Sequence, residues 1–334
     1  MELLLSVTIL LGFLASAQTQ SPRVDLTVAK DGTGNFTTIG EAILAAPSYS
    51  KRRYYIRIRA GKYTENIQIE EMKTNLIFIG DGMDHTIISG NRSRKGGYTT
   101  YKTSTVGIRG PGFIAQGITF ENTAGPQMDQ AVALRSEAEK ITFFQCRFLG
   151  YQDTLYTKSG VQFFRDCEIF GTVDFIFGDA TVILQNCAIF ARKPLPWQSN
   201  TITAEGRDSA NLTTGIVIHN CSITAAPDLR QHLNEIKTYL GRPWKHFSRT
   251  VIMQTFIDEL IDPQGWLIWK GQPLGNPYFA EYGNTGHGAR TNERVKWGRV
   301  INSTREAAQF TVRNFIHGET WIPSTGIPFF LDLL

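Results

Sequence analysis

One five-residue frame recurs four times in the middle of the chain and limits what it can fold into. Phe144-Gln145-Cys146-Arg147-Phe148, Arg165-Asp166-Cys167-Glu168-Ile169, Gln185-Asn186-Cys187-Ala188-Ile189 and His219-Asn220-Cys221-Ser222-Ile223 share one pattern, with their cysteines 21, 20 and 34 residues apart. Upstream, Ile118-Thr119-Phe120-Glu121-Asn122 fits the frame without its cysteine. The runs before the frames, such as Ile141–Phe144, Val161–Phe164 and Val182–Leu184, are β-branched and aromatic, as strands require. Short strands at a period in the low twenties, with almost no helical periodicity, predict an all-β chain wound as a right-handed parallel β-helix. Each rung buries its apolar face only against the next, about 4.8 Å away. A β-sandwich with regular turns is the competing arrangement. It predicts more hairpin dipeptides than Asp31-Gly32 and Asp81-Gly82, which both precede the repeats.

Around the repeats, Thr38-Ile39-Gly40-Glu41 is a capping-box sequence leading into Ala42, Ile43, Ala45 and Ala46, a helix that closes the open end of the solenoid before Pro47. The 34-residue interval and the stretch Ala225 to Lys237 are longer excursions, of the kind that wall a cleft. A second helix is predicted around Arg305 to Asn314, packed back on the barrel. At the N-terminus, Leu3 to Leu14 is apolar and Ala15-Ser16-Ala17 has the small residues of a cleavage site. The expected organisation is therefore a signal peptide at 1–17, a spacer at 18–27 and a single catalytic domain at 28–334. No other apolar run approaches the ~20 residues of a membrane span. Secretion is also consistent with five Asn-x-Ser/Thr triplets, at Asn35, Asn91, Asn211, Asn220 and Asn302. The formal charge of +4 is spread along the chain. It marks no nucleic-acid patch, but it suits a polyanionic substrate such as an acidic polysaccharide.

The chemistry-bearing residues follow the same period. Gln130, Gln152 and Asp174 are each 22 positions apart, and Asp153 follows Gln152. If one interval is one storey, two amides and two carboxylates share a column. That layout suits attack on a carbonyl carbon with amide donors for the oxyanion. Carboxylates one strand apart repel by roughly 3 kcal/mol at an effective dielectric near 20. One then stays protonated as the acid while the other stays charged as nucleophile or base. Arg242, with its backbone fixed by Gly241 and Pro243, is the candidate cation beside the charged member. Trp244, Trp266, Trp269, Tyr156, Tyr239 and Phe177 are candidate sugar platforms. There is no Gly-x-Ser-x-Gly elbow, and no Cys-x-x-Cys pair or clustered histidine to suggest zinc, so neither metal nor cofactor is expected. Adjacent rungs permit a Cys167–Cys187 bond, a Cys146–Cys167 bond or stacked free thiols alike.

At these residues the chain resembles the pectin methylesterases (pectinesterases), those of plants in particular. The likeness runs from Val28-Ala29-Lys30-Asp31-Gly32 through Gly61–Glu65, Gln130–Leu134, Tyr151–Leu155, Asp174–Gly178 and Leu240–Trp244 to Trp321-Ile322-Pro323. The resemblance implies a right-handed parallel β-helix secreted to the cell wall that acts as a monomer on methyl-esterified homogalacturonan, with a proteinaceous inhibitor as a partner. It implies Asp174 as nucleophile, Asp153 as acid/base, Gln130 and Gln152 as oxyanion donors and Arg242 as the residue orienting Asp174. Thr100 and Trp244 match substrate-binding positions, and Cys167–Cys187 matches the family's disulfide. Many plant relatives carry an inhibitor-like pro-region; here the leader is expected to run almost directly into the domain. Asp179 stands where relatives often have Asn. The alternatives are a glycosidase using carboxylates ~5 Å apart and a non-enzymatic wall-binding solenoid.

Overall fold

A computed structural model describes residues 24–271 and 273–334. The predicted signal peptide and most of the spacer lie outside them. Strand Leu26–Val28 pairs with Ile56–Ile58.

The chain is a right-handed parallel β-helix of three sheets, with 11, 8 and 7 strands among the described residues. Its named strands pair in parallel, each with the equivalent strand of the next coil. The recurring frame is a corner. Gln145, Asp166, Asn186 and Asn220 have φ between 51° and 56°, the left-handed region that short amide and carboxyl side chains tolerate best. That residue turns the chain from the 11-stranded to the 8-stranded sheet, and the following cysteine points inward. The corner side chains then hydrogen-bond between coils. Asn186 Nδ2 donates to Asp166 Oδ1 (2.7 Å) and Asn220 Nδ2 to Asn186 Oδ1 (3.2 Å). Inside the barrel, phenylalanines stack as the cysteines do, with Phe143 and Phe164 at 4.7 Å and 18°.

The N-terminal helix forms as predicted, over Ile39–Ala45. The Thr38 hydroxyl accepts from Glu41 N, and Ile39, Ala42 and Ile43 join the core at the barrel's end. Glu65 reaches over from the first coil to accept the free Ile39 and Gly40 N–H groups, both at 2.9 Å. The predicted C-terminal helix is broken into two short pieces, Thr304–Ala307 and Val312–Phe315, by extended backbone at Thr311. With the turn Ala308–Phe310 between them, they pack Ala307, Phe310 and Val312 against Phe163, Ile183 and Val217 on the outer face of the 11-stranded sheet.

The four cysteines are buried free thiols, so the expected Cys167–Cys187 disulfide is not formed. They stack one per coil, and each sulfur lies near backbone carbonyls of its own or the preceding coil. Cys167 Sγ donates to Arg165 O (3.3 Å) and Cys187 Sγ to Gln185 O (3.5 Å). These contacts satisfy the thiols as small core side chains.

Candidate active site

The 7-stranded sheet carries the site. Its register is Leu134↔Leu155↔Ile176↔Thr203↔Gly241. A storey here is 21 residues, not the 22 read from the sequence. Asp174 therefore stacks one coil from Asp153, while Gln152 is offset by one position. One coil earlier, Ala131 N–H donates to Gln152 O (3.1 Å). Both aspartates sit at the sheet's entry with left-handed backbone, φ 63° for Asp153 and 53° for Asp174, which turns their carboxyls onto the outer face.

Asp174 is 5% exposed and held by two residues from later coils. Arg242 forks its carboxylate, Nε to Oδ1 at 2.7 Å and Nη2 to Oδ2 at 2.6 Å. The Thr201 hydroxyl donates to Oδ1 at 2.6 Å and accepts from Asp174 N at 2.9 Å. The arginine stands two coils beyond Asp174, and its neighbour in register on the intervening strand is the small Ala204. Gly241 is required beside it, because a Cβ there would lie 2.0 Å from Thr203 Oγ1. The guanidinium also lies 4.0 Å from the Trp269 ring, so it is fixed from two sides.

Asp153 is equally buried, but no protein hydrogen bond or ion pair holds its carboxyl among the described residues. Burial raises its pKa well above the ordinary carboxylate value. The Asp174 charge raises it further, and Arg242 only partly offsets this. One carboxyl is thus forked by a bidentate cation, and its neighbour is pushed toward the protonated form.

The pair opens into a cleft of about 440 Å³ that also meets Gln130, Thr100, Tyr156, Phe177, Trp244 and Trp269. Tyr156 and Phe177 stack at 4.2 Å and 14°, being one coil apart in register. Trp244 meets Phe177 edge-on at 6.2 Å. Two sequence-derived contacts fall elsewhere. Trp266 is 1% exposed and packs on Phe279 in the core. Tyr239 is buried one coil beyond Thr201, beside Lys237 and Asp262. Gln152, next to Asp153, is half-buried, and among the described residues no protein partner engages its side-chain amide. The excursion Ala225 to Lys237 does not wall the cleft either; the segments carrying Thr99–Tyr101 and Trp269 do. Thr201 was missed altogether. It lies 27 residues after Asp174, because residues 192–199 lengthen that coil, and a fixed period passes over it.

The pectinesterase family model matches residues 25–319. The chain belongs to the pectinesterase family. A pectinesterase/pectinesterase inhibitor of Prunus persica is 55% identical over 316 residues, which is 93% of this chain and 60% of that protein. Pectinesterase 2 of Citrus sinensis is 53% identical over 312 residues, 92% of this chain and 61% of that protein. The chain thus spans about 60% of the length of these curated pectinesterase relatives. A solved pectin methylesterase from carrot superposes with a TM-score of 0.93 at 47% identity, over 95% of this chain and all of that one.

Proposed function

We propose that the chain hydrolyses methyl esters of homogalacturonan to free carboxylate and methanol, in the cell wall after secretion. The observation that carries this is the pair of buried aspartates in register, one forked by Arg242 and the other with no protein hydrogen bond or ion pair to its carboxyl among the described residues. The family membership supports the same substrate class.

In this reading Asp174 attacks the C6 carbonyl carbon. Oδ1 already accepts from Thr201 and Arg242, whereas Oδ2 accepts only from Arg242. Oδ2 is therefore the attacking oxygen. Gln130 and Gln152 donate to the tetrahedral oxyanion; among the described residues neither side-chain amide is engaged by a protein partner. As the C–O bond to methoxide breaks, Asp153 passes its proton to that oxygen and methanol leaves. An anhydride to Asp174 remains. Asp153, now a carboxylate, takes a proton from water as the water oxygen attacks the acyl carbon. Collapse frees the galacturonic acid, which gives its proton to solvent, and restores Asp174 ionised and Asp153 protonated. Thr100, Trp244, Tyr156, Phe177 and Trp269 contact the sugars. The chain acts as a monomer, and the name of the Prunus persica relative supports a proteinaceous inhibitor as a partner.

The test is methanol release from methylated pectin by the wild type and by Asp174→Asn, with reducing ends counted in parallel. Release by the wild type alone is expected. New reducing ends without methanol would make the chain a glycosidase and overturn the reading.

A further inference from the structure

Glu205 ends the strand Asn200–Glu205, directly after Ala204 of the cleft, and is wholly buried. It is in register with Gly178 on the coil before and Pro243 on the coil after. No step of the reaction uses it, yet its polar atoms hold a short surface turn by both ends. At the first end, Trp244 N–H donates to Glu205 O at 3.1 Å. At the other, Arg249 N–H donates to Glu205 Oε2 at 2.6 Å, and the buried Ser248 hydroxyl donates to Glu205 O at 2.5 Å. Arg207 N–H also donates to Oε2, at 3.1 Å. Between these anchors Lys245 and His246 are exposed.

The turn matters because Trp244 leads it. The Trp244 ring packs over Gly206, where a Cβ would lie 2.8 Å from its Cε3, and it meets Phe177 in the cleft. Whatever holds the turn therefore sets one wall of the site.

The carboxyl itself is poorly provided for as an anion. Its other oxygen, Oε1, is buried with no hydrogen-bond partner. The Arg207 guanidinium is engaged by the carbonyls of Ser209, Ala210 and Phe247, and that of Arg249 by Thr213 O. Neither forms an ion pair with Glu205 among the described residues. Asp179 lies near on the preceding coil, held by the Thr214 hydroxyl at 2.5 Å, with Asp208 beyond it. A neutral acid suits such a pocket, whereas a carboxylate leaves a charged oxygen unsolvated. Burial raises the Glu205 pKa to about 8. The Arg249 and Arg207 N–H bonds and the Arg207 charge oppose the rise, and the Asp179 charge adds to it.

We propose that Glu205 is a positioning residue for the Trp244 wall of the cleft: its neutral form clamps the 244–249 turn, and its ionised form releases it. The inference rests on the ester-hydrolase reading for its ligand. The sign follows from linkage. With the folded pKa raised, the clamp's contribution to stability is intact at low pH and is lost as pH rises through the folded value. The loss is local, because the turn is the exposed partner in these bonds.

The experiment compares the unmodified residue with Glu205→Gln, which keeps an acceptor for both N–H groups and cannot ionise. Without ligand, amide exchange over residues 244–249 should match in the two proteins at about pH 6 and be faster with Glu205 at about pH 9. Equilibrium binding of a methyl-esterified galacturonate hexamer is then measured with both proteins carrying Asp174→Asn, so that nothing is turned over. Asp153 titrates in both and cancels from their ratio. At about pH 9 only about one-tenth of Glu205 is neutral, so the ratio of the two affinities should change about tenfold from its value at about pH 6. A merely structural glutamate would change stability without this contrast. Matching exchange at both pH values, a constant affinity ratio, or no hexamer binding by either protein would each overturn the proposal. Should Glu205→Gln impair folding, exchange in the unmodified protein decides alone: residues 244–249 should lose protection with rising pH while the strand Asn200–Glu205 keeps it, and equal behaviour of the two segments would overturn the clamp. Methanol release by the unmodified protein tests the ester-hydrolase reading separately.

Discussion

Replacing Asp153 by Asn should abolish turnover and at the same time stabilise the fold near neutral pH. The structure sets the size of the effect. Asp153 and Asp174 stand one coil apart, ~5 Å, where two full charges at an effective dielectric near 20 repel by about 3 kcal/mol. Arg242 is forked onto Asp174 and cancels part of that field at Asp153, leaving about 1–2 kcal/mol by the same arithmetic, with the cost of burial in addition. The sign follows from linkage. The pKa of Asp153 is raised in the folded state, so its contribution to stability is intact below the unfolded value of about 3.9 and is lost as pH rises through the folded value. Asn carries no charge in either state and escapes that loss. A thermal melt of Asp153→Asn should therefore match the wild type near pH 4 and exceed it at pH 7 by several degrees, at about 2–4 °C per kcal/mol. An equal shift at both pH values, or a lower melting temperature at pH 7, would refute the proposed electrostatics of the pair.

Four further outcomes follow from the same geometry. Gln130→Ala should lower methanol release about 100-fold or more; near-normal release would remove it from oxyanion stabilisation. Thr201→Val deletes a hydrogen bond to a charged oxygen of Asp174 and should lower kcat about 10-fold or more with KM little changed, while Thr201→Ser restores most of it. Phe164→Ala, which opens the phenylalanine stack, should lower stability by about 3–5 kcal/mol in denaturant unfolding. Alkylation of the denatured, unreduced protein should label four cysteines per chain; two labelled cysteines would reinstate the Cys167–Cys187 bond.

The solenoid was legible because one residue per coil does something unusual. A left-handed corner before an inward cysteine restricts both positions enough to leave a visible repeat at 145–146, 166–167, 186–187 and 220–221. Asp153 and Asp174 were legible for a related reason, since they occupy equivalent corners of the next sheet. The register was read one residue too long. The amides and acids are not all in one column, and only the hydrogen bonds of the sheet separate 21 from 22. Thr201 and Arg242 reach Asp174 across coils lengthened by excursions, so no period links them to it. Arg242 stood out by the glycine and proline that flank it and by the family likeness, and Thr201 had no sequence signal. Tyr239 and Trp266 show the limit of composition: an aromatic ring near a site is as readily part of the barrel's packing as of its surface.

The corner ladder of Asp166, Asn186 and Asn220 tells where this architecture tolerates a change in length. Residues added beyond a bend bulge sideways and leave the coils above and below undisturbed, as residues 192–199 do between two strands that remain aligned with their neighbours. One residue deleted inside Val161–Arg165 would instead swap inside for outside along that stretch, driving Arg165 toward the barrel's interior and Phe164 out of it. Natural variation in chain length should therefore gather at the bends, where this protein could be reshaped for other polymers without rebuilding its spine.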